Sequence, residues 1–169
     1  MATIGTAGRT RAGRGRRPGL LLLCAAAVAT AAVVGGVAAR AAEPGYYDRV
    51  GRPSWSPPGE VFSPVWTALY VLMAVAAWLV AREGPGRPDV RRALVLFGVQ
   101  LVLNAAWTPL FFGLQRPGWA LADIVALLIV LAATVAAFAR VRPAAAALMA
   151  PYLAWVAFAT ALNAAIVAG

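Results

Sequence analysis

The chain has 169 residues, 62% of them hydrophobic and 12% charged, with a mean hydropathy of +0.77; this is far too apolar for a soluble domain of its size. Histidine is absent and Cys24 is the single cysteine, which excludes zinc sites, thiol redox pairs, intrachain disulfides and His-based catalysis, and leaves haem without its usual ligands. The net charge of +9 comes from basic residues that are all arginine; they sit at the ends of apolar runs and read as topology signals and contacts to anionic lipid, not to nucleic acid.

Residues 1–17 are small and polar, carry five arginines, and read as a disordered basic arm. Pro18 to Ala39 is charge-free over about 22 residues, enough to cross a bilayer core of roughly 30 Å. A secretory signal with cleavage near Ala39-Arg40-Ala41 is the rival, and the length of the apolar run favours a retained helix. Residues 41–60 form the first long loop. Its part from Tyr46 onward holds Pro53, Pro57 and Pro58 among Tyr46, Tyr47 and Trp55. Proline fixes φ and restricts its predecessor, so this stretch is expected to be a semi-rigid extended lid.

Four more charge-poor runs follow, separated by Arg82 to Arg92, by Arg116-Pro117-Gly118 and by Arg140 to Arg142. The expected fold is therefore an all-α integral membrane protein with five transmembrane helices, at about 19–40, 61–81, 92–113, 118–139 and 144–167. The arm and the two turns on its side hold five, four and two arginines, against four on the other side. The positive-inside rule then puts the N-terminus in the cytoplasm, and the lid and C-terminus outside. An Arg-only, Ala- and Gly-rich composition suits a GC-rich bacterial genome, hence a bacterial cell membrane.

Within the third run Gln100, Asn104, Trp107 and Phe111 share one helix face. Carboxamides in hydrocarbon need partners, so this face should turn inward, with Gln100 and Asn104 serving as helix-to-helix glue, as ligand contacts, or both. Trp66, Tyr70, Met73 and Ala77 form a similar stripe in the second run, and Pro151, Trp155, Ala159 and Asn163 in the fifth. Their depths agree, which implies an aromatic pocket in the outer half of the bundle beneath the lid, with Ala159 leaving room. Trp78 and Trp119 suit the interfacial belt. Asp123, the one acid within a span, lies about a turn into the fourth helix. Gly35 and Gly36, with nearby alanines, offer surfaces for close helix approach.

The stretches YYDRVGRPSWSPPGEVFSPVWTALYVLM, QLVLNAAWTPLFF, GWALADIVAL and PYLAWVAFATALN, in this order from Tyr46 to Asn163, resemble the TspO/MBR family of tryptophan-rich sensory proteins and translocator proteins. The resemblance implies a five-helix bundle, often a homodimer, whose pocket is closed by the first long loop and takes porphyrins and other tetrapyrroles, sterols or benzodiazepine-type drugs. Carried over by position, the pocket comprises Tyr47 and Trp55 from the loop, Trp66 and Tyr70, then Gln100, Asn104 and Trp107, and finally Trp155 and Ala159. Tyr46-Tyr47 stands where the family usually has Trp-Tyr. The cholesterol-recognition pattern is missing after Asn163, which makes cholesterol a poor candidate.

A porphyrin-type ligand would be held by packing and hydrogen bonds, with no cofactor or metal implied. Flat rings suit stacking between Trp66 and Trp155, and Arg49 or Arg52 could pair with propionates. The leading expectation is a receptor or sensor. A light- or oxygen-dependent porphyrin-degrading enzyme is the alternative; with no base, nucleophile or metal ligand in the pocket, it would rest on Trp66 and Trp155 as electron donors. A tetrapyrrole or sterol transporter is less well supported, since five spans do not divide into equal repeats.

Overall fold

A computed structural model describes residues 18–41 and 45–169; the expected basic arm at 1–17 lies outside them. The elements are α1 (Pro18–Arg40), α2 (Tyr46–Arg49), α3 (Gly59–Ala81), α4 (Pro88–Thr108) running on into a π turn (Pro109–Gly113), α5 (Pro117–Val141) and α6 (Pro143–Ala168). The five long helices are each long and apolar enough to cross a membrane. Prolines open α4, α5 and α6, where the missing N–H is one that a helix start leaves unpaired anyway. The connections after α3 are short. Gly84, at φ 124°, makes the α3–α4 turn, and Arg142 alone separates α5 from α6.

The helices form a closed ring in the order α1, α3, α6, α5, α4 and back to α1, with α3 also touching α4. At the end carrying the α3–α4 and α5–α6 turns, the interior is filled. Met73, Ala76, Ala77 and Val80 of α3 meet Val90, Ala93 and Phe97 of α4, Leu131 and Phe138 of α5, and Ala145 and Met149 of α6. Alanines let the backbones approach while Met, Leu and Phe fill the gaps, the kind of packing that holds helices together where lipid supplies no hydrophobic drive. Phe97 stacks on Phe138, with ring centroids 5.8 Å apart. Arg142 pairs with Glu83 at 3.1 Å and ties the two turns together. Helix α1 joins through a narrow stripe, burying Val28 and Ala31 while Leu22, Leu23, Val33 and Val37 stay exposed.

The first long loop differs from the expected extended segment, because Tyr46–Arg49 coils into one helical turn. Gly45 takes φ 73°, and its carbonyl accepts the amides of Asp48 and Arg49, both at 3.1 Å. Proline restricts only itself and its predecessor; with Pro53 the first proline after the tyrosines, residues 46–49 are free to coil.

Candidate functional site

At the other end, beneath α2, the same five helices enclose a cavity of about 600 Å³. From α3, Trp66 leans over Tyr70 with centroids 5.4 Å apart. From the end of α4, Trp107 stacks on Phe111 at 5.0 Å, and from α6 come Trp155, Val156 and Ala159. The π turn shapes this wall. Pro109 cannot donate a helical hydrogen bond, and the Leu114 amide reaches back five residues to the Pro109 carbonyl at 2.8 Å. This wider turn places the consecutive Phe111 and Phe112 both on the cavity; π turns recur at functional sites.

Tyr46 and Tyr47 hold the roof. Tyr46 is buried with its ring edge-on to Phe111 and Phe112, at 5.9 and 6.2 Å. Burial also pushes its hydroxyl pKa up. Tyr47 packs edge-on to Phe62 at 5.7 Å. The Arg52 guanidinium lies 4.4 Å above the Tyr47 ring and pairs with Asp48 at 2.7 Å, so it serves the roof itself. Arg40 at the end of α1 is the cation among the described residues of the cavity wall.

The polar side chains form two hydrogen-bonded sets. Tyr70 donates its hydroxyl to Asn104 Oδ1, Asn104 Nδ2 donates to the Tyr152 hydroxyl, and Tyr152 donates to Gln100 Oε1, each at 3.0 Å. Nearby, Trp107 Nε1 donates to Asn163 Oδ1 at 3.1 Å and Asn163 Nδ2 to the Pro117 carbonyl at 3.0 Å. These bonds join α3, α4, α5 and α6 and satisfy groups that hydrocarbon cannot. Asn104 lines the cavity and carries a structural bond at each end of its amide. Gln100 is fully buried behind the wall, with Nε2 unpartnered among the described residues.

Of the nine residues expected at the pocket, Tyr47, Trp66, Tyr70, Asn104, Trp107, Trp155 and Ala159 stand on the cavity wall. Gln100 and Trp55 do not. Trp55 is half-exposed and rests edge-on against Phe158, with centroids 5.7 Å apart. The sixth helix turns differently from the expected stripe: Pro151 is exposed and its neighbour Tyr152 is fully buried. A strict i+4 row drifts about 40° per step around a 3.6-residue helix, so three steps from Asn163 carry it off the inner face. Tyr152 could have been found by alternating steps of three and four. The contribution of α1 was hidden in a run of small residues. Gly35 packs against α4, where a Cβ would lie 3.3 Å from Thr108 Oγ1, and Gly36 lines the cavity. Trp119 is 70% exposed, as a belt residue would be. Asp123 keeps Oδ2 enclosed without a partner among the described residues.

The described residues form an all-α, multi-pass membrane bundle, filled at one end and holding an aromatic-walled cavity at the other. The chain belongs to the TspO/MBR family, whose model matches residues 21–168. It is 46% identical to the tryptophan-rich protein TspO of Chlorobaculum tepidum over 70% of this chain and 75% of that one. It is 45% identical to the human translocator protein over 70% of both chains, and 43% identical to the tryptophan-rich sensory protein of Cereibacter sphaeroides over 70% of this chain and 72% of that one.

Proposed function

We propose that this protein is a membrane receptor for porphyrin-type tetrapyrroles and related flat, lipophilic ligands, with the cavity in the outer half of the bundle, the N-terminus in the cytoplasm and the C-terminus outside. The observation that carries the reading is the cavity itself. Its volume of about 600 Å³ falls in the range of roughly 300–1,000 Å³ usual for small-molecule sites. Trp66, Trp107 and Trp155 offer it flat apolar faces. Arg40 supplies a cation for an acidic edge group. Tyr70 and Asn104 are already bonded to each other, and Tyr47 Oη and Trp155 Nε1 are the buried wall groups left without a partner among the described residues, which favours a ligand with an apolar body and few polar atoms. The relatives' names, a sensory protein in one bacterium and a translocator protein in human, agree with handling a ligand at the membrane. A homodimer is the proposed assembly.

The test is titration of the purified protein with protoporphyrin IX, read by tryptophan quenching, beside the Trp66→Phe/Trp155→Phe variant, in the dark and then in light. Saturable binding weakened about tenfold or more in the variant supports the receptor; equal binding in both proteins contradicts it. Tryptophan-dependent bleaching of the bound pigment in light would convert the reading to the degrading enzyme.

A further inference from the structure

The cavity wall is not evenly closed. Among its described lining residues, every one that is exposed belongs to α1 or α3: Gly36, Ala39 and Arg40 on one helix, Gly59, Ser63 and Thr67 on the other. The walls given by α4, α5 and α6 are buried or half-buried. From Gly59 to Thr67 the exposed edge descends eight residues along α3, about 12 Å at 1.5 Å per residue, so the opening runs down the side of the bundle into the depth of the bilayer.

The local chemistry keeps this slot open. A Cβ added at Gly36 or at Gly59 would meet nothing within 4 Å, whereas one at the neighbouring Gly35 would press on Thr108. Helix α1 packs on both α3 and α4, but near its C-terminal end Gly35 sits tight against α4 while the space beside Gly36, and beside Gly59 on α3, is open. Thr67 donates its hydroxyl to the Ser63 carbonyl of its own helix at 2.9 Å, which removes a donor that acyl chains could not satisfy. The roof on the water side is pinned by the Tyr46 and Tyr47 ring contacts and by the Asp48–Arg52 pair.

We propose that the slot between α1 and α3 is the ligand entrance, and that the molecules admitted are amphiphiles already dissolved in the bilayer, with the apolar body entering sideways and the acidic edge passing Arg40. The loop above is then a fixed roof and not a lid that must lift. This rests on the receptor reading given above.

The experiment measures association and dissociation of protoporphyrin IX by stopped-flow quenching on the full chain in phosphatidylcholine vesicles, for the wild type, Gly36→Phe, Thr67→Phe and Asp48→Ala. The two Phe variants narrow the slot from opposite walls. Both positions also line the cavity, where added bulk alone would speed dissociation; the expected result is instead that at least one variant slows both association and dissociation, by about tenfold. Asp48→Ala, which removes the ion pair that helps pin the roof, leaves both rates as they were. Wild-type rates in both Phe variants, or faster exchange in Asp48→Ala, overturn the entrance while leaving the receptor reading intact. No saturable signal in the wild type takes down both.

Discussion

The two ends of the bundle are made of the same five helices, yet one is filled and the other hollow. At the turn end, Ala76, Ala77, Ala93 and Ala145 bring the backbones close, and Met73, Phe97, Phe138 and Met149 fill what remains. At the loop end the side chains are larger but spend themselves on walls. Trp66 leans on Tyr70 and Trp107 stacks on Phe111, while the π turn and the small residues Gly36 and Ala159 leave the middle empty. Large aromatics stacked along their helices enclose space, whereas alanines interleaved with flexible or branched residues remove it. The comparison teaches that packing and open space are divided by depth, with the polar chain from Tyr70 to Gln100 at the boundary.

This division can be attacked from the filled end outward. Phe138→Ala leaves a void in a fully buried layer and should cost the most, about 2–3 kcal/mol, below the usual range for such deletions because lipid removes the water-transfer part. A lowered thermal midpoint in detergent would register it. Tyr152→Phe takes away one hydroxyl that serves both Asn104 and Gln100; stranding two buried amides should cost about 1–2 kcal/mol, read by the same melt. Gly35→Val crowds Thr108 and should cost about 1 kcal/mol by overpacking, with Gly36→Val, facing open space, as the silent comparison. Arg142→Ala breaks the exposed pair with Glu83 and should move stability by less than about 0.5 kcal/mol. A silent Phe138→Ala beside a costly Arg142→Ala would reverse the assignment of stability to the packed interior.

Much of this fold is legible in the sequence because hydrocarbon imposes simple rules. Charge-free runs of bilayer length can only be helices, and the stripes on the third and second runs place Asn104, Trp107, Trp66 and Tyr70 where they stand on the cavity wall. What stayed hidden depends on relations that one segment does not contain. The ring order follows from packing between helices. Gln100 retreats behind the wall because Tyr152, on another helix, claims its oxygen. Trp55 turns to Phe158, a partner about a hundred residues on. The π turn leaves only Pro109 as a local sign, and α2 forms in a stretch whose prolines begin too late to prevent it.

The central claim, that the hollow end binds and the filled end stabilises, is tested most directly at Ala159. It lies on the cavity wall with 9% exposure, at the edge of the packed cluster, so Ala159→Phe puts its added bulk into the hollow. Protoporphyrin IX affinity and thermal midpoint would be measured on the same preparation. The account predicts affinity down about a hundredfold or more, near 2.7 kcal/mol, with the ligand-free midpoint held or raised. Wild-type affinity in a folded Ala159→Phe protein would contradict it.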